Sequence, residues 1–175
     1  MKYSIFLHAL SFKLIWVGTI WLAANHFTNW SALLIWSWAI FWWQQPRLIP
    51  FRSLAVTSLA VGAISEFILS YSHVSMNTDG SPLLFPPFWL LGLWVAFGSL
   101  LPICLKKLHQ RYALSLILGA VFGPLSYRAG SQWGALNIRD DYVGILCVAF
   151  VWGVSFPFLL FRLTKEKAVK IDELI

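Results

Sequence analysis

The chain has 175 residues, of which 59% are apolar and only 11% are charged, and its mean hydropathy is +0.71. Soluble domains carry about 25% charged residues, so this composition excludes a soluble domain with a polar shell. The net charge of +6 does not indicate nucleic-acid binding, because the positive residues lie between apolar segments and near the C-terminal end. That distribution is typical of a protein that contacts the headgroups of membrane lipids.

Six apolar segments approach the length of about 20 residues that a transmembrane helix needs. The first is interpreted as an uncleaved span rather than a signal peptide, because Lys13 interrupts its apolar run. No ten-residue alternation of the kind found in β-barrels repeats along the chain. The sequence therefore predicts an all-α, polytopic transmembrane helical bundle of about six helices in one domain, residues 1–162, with a short cytoplasmic tail, residues 163–175. The predicted spans are residues 5–24, 30–43, 53–71, 88–105, 113–127 (extending towards 136) and 142–161.

Positive charge is divided unequally between the two sets of predicted loops. One set, with Lys2 and the C-terminal tail, carries ten Lys and Arg residues, whereas the other set carries only Arg128 and Arg139. Because cytoplasmic loops are enriched in Lys and Arg, we expect both termini to be cytoplasmic in a multi-pass protein of the bacterial inner membrane. Within the longest loop, residues 77–82 (Asn-Thr-Asp-Gly-Ser-Pro) predict a turn.

Glu66 is the only acidic residue inside the predicted spans. An ionisable residue at that depth needs a partner or a cavity and is a default candidate for a functional site. A rise of about 1.5 Å per residue brings Glu66, Trp94 and Arg128 to one level, with Tyr127 and Gln132 close to it. One interpretation is a polar pocket in which Glu66 accepts a proton or anchors a ligand while Arg128 holds an anionic group. The other is a structural ion pair or hydrogen bond that joins the third and fifth helices.

Site residues follow from this grouping. The candidate catalytic residues are Glu66, Arg128 and Tyr127. No metal site and no cofactor are predicted, because the His and Cys residues share neither a spacing nor a depth. The candidate ligand-binding residues are Glu66, Trp89, Trp94, Tyr127, Arg128 and Gln132.

Lys13 is a second charge inside a predicted span. It is expected to extend along the helix to the cytoplasmic surface, as long basic side chains do in membranes. His8 lies about one turn nearer the end of the same helix and is expected in the interface.

Glycines and a proline mark the fifth segment. Gly119 and Gly123, and then Gly130 and Gly134, stand four residues apart, a spacing that permits close packing of membrane helices. The same glycines could serve a homo-oligomer or a membrane-protein partner. Pro124 lies between the two pairs and is expected to kink or break the helix.

Two stretches carry a family resemblance. They are residues 87–97, Pro-Phe-Trp-Leu-Leu-Gly-Leu-Trp-Val-Ala-Phe, and residues 119–130, Gly-Ala-Val-Phe-Gly-Pro-Leu-Ser-Tyr-Arg-Ala-Gly. Together they resemble an uncharacterised bacterial membrane protein family, domain of unknown function 2878. The Glu66 segment and residues 9–16 fit the same pattern, although Lys13 stands where an uncharged polar residue is expected. The resemblance implies a small inner-membrane protein whose relatives often accompany enzymes that modify membrane fatty acids.

A fainter similarity concerns the eleven Trp residues. The segment Pro86-Pro87-Phe88-Trp89 and Trp94 are similar to parts of the tryptophan-rich sensory proteins. That family binds tetrapyrroles and sterols through five helices.

Three functions are compatible with the sequence. The first is a membrane protein that binds membrane lipids or serves as a subunit supporting their modification. The second is an intramembrane enzyme that acts on a lipid or isoprenoid, with Glu66 as general acid or base and Arg128 orienting the charged head. The third is a small transporter, for which internal inverted repeats would be the expected sign.

Overall fold

The computed structural model describes residues 2–48, 51–76 and 85–172. Two short strands, β1 (Ser75–Met76) and β2 (Asn137–Ile138), pair antiparallel. The turn predicted at residues 77–82 lies outside the described residues. The described residues form six α-helices: α1 (Lys2–Ala24), α2 (Thr28–Trp43), α3 (Arg52–Tyr71), α4 (Phe88–Leu100), α5 (Tyr112–Gln132) and α6 (Tyr142–Asp172).

The predicted all-α helical bundle is confirmed, with differences at three places. α4 ends at Leu100 rather than at residue 105, because Pro102 has no N–H with which to continue the helical ladder. α5 continues through Pro124, so the proline does not break it. α6 continues beyond residue 161 as far as Asp172, so the last span and much of the predicted tail form one helix.

Within the described part of the chain, four helical segments are long and apolar enough to cross a membrane. α4 is also apolar but has only 13 residues, ten of which are buried among its neighbours. Its length of about 20 Å falls short of the hydrocarbon core, which is about 30 Å thick. α4 is therefore the enclosed central helix. The four long segments are Ile5–Ala24, Arg52–Tyr71, Tyr112–Gln132 and Tyr142–Lys165.

Apolar and polar side chains are distributed as in a membrane protein. Large apolar side chains such as Leu14, Val56 and Phe150 are mostly exposed, whereas Ser99 and Glu66 are fully buried. In water the exposed apolar faces would be unfavourable, whereas in a lipid bilayer they contact hydrocarbon. The outward faces thus match a membrane, and the polar groups gather between the helices.

The helices alternate in direction. α1, α3 and α5 run towards the end of the bundle that carries β1 and β2, which we call the strand end, and α2, α4 and α6 return from it. α4 packs against α1, α2 and α3, while α6 packs against α3 and α5. The helices therefore pack side by side in a row, with α1 and α5 at its two ends. α4 and α6 form one side of the space between α1 and α5.

The three outgoing helices end in the same way. Each has a residue with positive φ two positions after its last residue: His26, His73 and Gly134. In each case the N–H of the next residue bonds to the carbonyl five positions back, which satisfies groups left free by the helix end. β1 and β2 follow α3 and α5 directly, so their pairing holds these two helix ends together.

Candidate functional site

Glu66 is the meeting point of three helices. Its side chain lies on α3 and is completely buried. Trp94 on α4 donates its indole N–H to Glu66 Oε1 at 2.8 Å, and Tyr127 on α5 donates its hydroxyl hydrogen to the same oxygen. Glu66 Oε2 is buried and has no hydrogen-bond partner among the described residues. Buried polar atoms without a partner are rare in native structures, and a catalytic role is one of the explanations for them.

Trp152 on α6 brings a fourth helix to this group. Its ring stacks on Trp94, with centroids 4.2 Å apart and planes 18° apart, and it packs edge-on against Tyr127 at 6.4 Å. Its indole nitrogen is buried and has no partner within hydrogen-bond geometry among the described residues. Glu66, Trp94, Tyr127 and Trp152 are called the Glu66 cluster below.

Glycines make room for the two stacked tryptophans. A Cβ at Gly62, one turn before Glu66, would overlap the ring of Trp94, and a Cβ at Gly123 would overlap the side chain of Trp152. A Cβ at Gly119 would overlap the backbone of Trp152. Gly119 and Gly123 therefore pack closely against α6 of the same chain.

A cavity of about 540 Å³ lies beside the Glu66 cluster, between α1, α4, α5 and α6. Tyr127, Trp94 and Trp152 form part of its wall, so the cluster faces the cavity through its aromatic members. The volume is within the range of about 300–1,000 Å³ typical of small-molecule sites. Most of the remaining wall is aromatic or aliphatic, including Phe12, Trp16, Trp89, Leu93, Phe97, Phe122 and Phe156.

The structure brings together some of the residues predicted for the site. Glu66, Trp94 and Tyr127 are in contact, as their common level along the helices predicts, and Trp89 lines the same cavity. The hydrogen bond between Glu66 and Tyr127 is the predicted polar link between the third and fifth helices. Trp152 was missed, because its position on α6 carries no charge or motif that marks it.

The predicted proximity of Arg128 to Glu66 is wrong. Its side chain is 55% exposed and pairs with Asp140, with a nitrogen–oxygen distance of 3.6 Å. Successive residues of an α-helix point about 100° apart, so Tyr127 can face the cluster only if Arg128 faces elsewhere. Gln132 is also exposed, and both residues line a second cavity of about 340 Å³ on another side of α5.

Asp141 immediately precedes α6, close to this second cavity. It accepts the backbone N–H of Gly144 at 2.8 Å and contacts Arg139 at 2.7 Å. The Gly144 hydrogen bond, with help from Arg139, holds the pKa of the Asp141 carboxyl below its usual value. The pair of charges at residues 139 and 141 thus fixes the start of a helix rather than forming a polar pocket with Glu66.

Of the two polar residues singled out on α1, His8 differs from expectation, whereas the extension of Lys13 to the surface stays a prediction. His8 is fully buried rather than interfacial, because its ring stacks on Trp42 at 3.9 Å and its Nε2 contacts Ser99 Oγ at 3.0 Å. Lys13 is exposed, and its side chain lies on the wall of the large cavity. Among the described residues no group of three or more His, Cys, Asp or Glu side chains is placed to hold a metal ion.

The model of the family described as "protein of unknown function (DUF2878)" matches residues 5–158 of the chain. The chain belongs to this family, and the resemblance identified from its two motifs is confirmed. The six helices differ from the five that the fainter similarity to tryptophan-rich sensory proteins implies. No curated protein and no solved structure matches the chain.

The Glu66 cluster predicts different stabilities for two variants at one position. Glu66→Gln retains an acceptor oxygen for Trp94 and Tyr127, and we expect its melting temperature to stay near that of the wild type. Glu66→Ala leaves both donors buried and unpaired, which destabilises the folded state by about 1–3 kcal/mol for each donor. We therefore expect a clearly lower melting temperature. Thermal unfolding of the purified variants, followed by tryptophan fluorescence, measures this. Equal melting temperatures for the two variants would show that the hydrogen bonds do not stabilise the bundle.

Proposed function

We propose that this protein binds a membrane lipid by holding a hydrocarbon chain in the large cavity. The observation that carries the proposal is the cavity itself, about 540 Å³ in volume and walled mainly by aromatic and aliphatic side chains. Such a wall has few hydrogen-bonding groups for a polar metabolite, but it makes many dispersion contacts with a hydrocarbon chain. The Trp and Phe rings give the wall a fixed shape, because each has only two side-chain torsions.

The position of the cavity supports a lipid rather than a water-soluble ligand. α1 and α5 flank it, and they are the two helices at the ends of the packed row, so the cavity lies where the row is open. The outward surfaces of both helices carry exposed apolar side chains such as Leu14 and Ile117. A chain can therefore enter sideways from the bilayer without crossing water.

A protein that holds a lipid chain can act as a subunit of an assembly that modifies membrane lipids. We propose this role as the biological setting, and the family resemblance given above is its support. No observation among the described residues specifically favours the transporter hypothesis.

We also propose a multi-pass arrangement in the bacterial inner membrane with both termini in the cytoplasm. Its support is the excess of Lys and Arg in the loops on one side. Fusions of alkaline phosphatase and of green fluorescent protein to the C-terminus test the orientation. We expect the green fluorescent protein fusion to be fluorescent and the phosphatase fusion to be inactive. An active phosphatase fusion would show that the C-terminus lies on the other side of the membrane.

An intramembrane enzyme is a second candidate, favoured by one observation. Glu66 Oε2 is buried and unpartnered while Oε1 holds Tyr127, whose ring forms part of the cavity wall. Glu66 could act as a proton acceptor through the Tyr127 hydroxyl, whereas Arg128 points away and does not serve as the headgroup anchor. Overexpression that changes the lipid composition of the cell, with Glu66→Gln folded but without that effect, would favour this candidate over simple binding.

Gly130 offers a direct test of chain binding. It lines the cavity, and a Cβ there would meet only Leu136, at an ordinary 3.9 Å. Gly130→Leu should therefore fill part of the cavity without disturbing the backbone, and we expect at least a tenfold loss of co-purified lipid. Native mass spectrometry of protein extracted from its own membrane, with lipid identification, measures the occupancy.

Ala129→Leu is the matched control, because it adds similar bulk one residue away at a position that does not line the cavity. We expect this control to retain lipid at the wild-type level. Equal lipid retention by Gly130→Leu and the wild type would contradict the proposal, provided that both melt at similar temperatures.

A further inference from the structure

We propose that the occupant of the cavity is a long-chain fatty acid whose carboxylate pairs with Lys13. This inference rests on the proposed lipid-binding function and names the chemistry of the lipid head. The sequence alone suggested only that Lys13 extends to the membrane surface.

The first step is the position of the Lys13 charge. Among the described residues that line the cavity, Lys13 is the only charged one. The ion pairs found in the described part of the chain involve Arg128 and Arg139 rather than Lys13. A charged side chain inside a membrane segment normally faces a cavity and pairs with an opposite charge. An anionic group brought by a ligand would supply that opposite charge.

The second step is the direction of the Lys13 side chain. α1 and α4 run antiparallel, and His8 on α1 contacts Ser99 on α4 at 3.0 Å. Lys13 follows His8 by five residues and Trp94 precedes Ser99 by five, so Lys13 lies near the level of Trp94. Side chains on a helix lean towards its N-terminus. The Lys13 ammonium is therefore directed towards the end of the bundle opposite the strand end.

The third step is the path left for a hydrocarbon chain. From the level of Lys13 to the strand end, the cavity wall is formed by Trp16, Ile20, Trp89 and Leu136. On α5 the wall extends from Leu118 to Gly130, roughly 18 Å of helix, and Tyr127, which meets Trp94 at Glu66, lies at the level of Lys13. Most of this wall, from Leu118 to Tyr127, therefore lies on the side of Lys13 away from the strand end. A single chain whose head lies at Lys13 has apolar wall on both sides of that level, and the longer part runs away from the strand end.

The fourth step distinguishes a carboxylate from a phosphate. One lysine supplies a single positive charge, which matches the single negative charge of a carboxylate. Phosphate groups carry more charge and are typically held by several donors, often the paired N–H groups of arginine. Arg128 lines the other cavity, and no arginine lines this one among the described residues.

The experiment uses the full chain in nanodiscs of phosphatidylcholine, with binding counted by native mass spectrometry. The probes are hexadecanoic acid, hexadecanol and hexadecyl phosphate, which share one chain and differ in the head. We expect wild-type protein to bind the acid at least tenfold more tightly than the alcohol. Lys13→Gln should lose about tenfold in affinity for the acid and keep its affinity for the alcohol, while Lys13→Arg should restore binding of the acid.

Lys107→Gln is the control, because Lys107 is exposed on the short helix after α4 and does not line the cavity. It should bind all three probes as the wild type does. Equal affinities of wild-type protein and Lys13→Gln for the acid would overturn the role of Lys13 while leaving chain binding intact. Tighter binding of the phosphate than of the acid would overturn the choice of a carboxylate. Failure of all three probes to bind the wild type would instead contradict the proposed lipid-binding function itself.

Discussion

The carboxylate of Glu66 is the interaction on which the rest of this bundle depends. A carboxylate taken out of water is costly unless its oxygens receive hydrogen bonds. Here one oxygen receives two, from Trp94 on α4 and Tyr127 on α5, so three helices are fixed relative to one another at a single atom. The helices then bring apolar surfaces together around this point, and the cavity lies directly beside it.

Close packing of the tryptophans determines the shape of that cavity. Trp94 lies where Gly62 carries no side chain, and Trp152 lies where Gly123 carries none. Because these two rings stack at 4.2 Å, they form one continuous aromatic wall contributed by α4 and α6. Gly119 and Gly123 also determine how closely α5 approaches α6. The bundle thus uses its small residues internally and leaves its apolar exterior to lipid.

The level of each residue along its helix could be predicted, whereas the direction of its side chain could not. Counting the rise per residue correctly brought Glu66, Trp94 and Tyr127 together, because depth depends only on where a helix begins. Arg128 was grouped with them because it shares their level, but it points about 100° away from Tyr127. His8 shows the same limit, since the pattern of its segment does not reveal which face of α1 meets α4. Trp152 could not be predicted because many tryptophans of this chain lie in similar apolar surroundings.

In the function that we propose, a rigid aromatic wall, positioned by Glu66, holds a lipid chain that enters between α1 and α5. Photo-crosslinking tests this most directly, with a fatty acid that carries a diazirine in the middle of its chain, in nanodiscs and with labelled peptides identified by mass spectrometry. We expect labels on the facing walls, at Trp16 and Phe122, that excess unlabelled fatty acid suppresses. Labels confined to outward residues such as Leu14 and Phe150, and insensitive to competitor, would contradict the account.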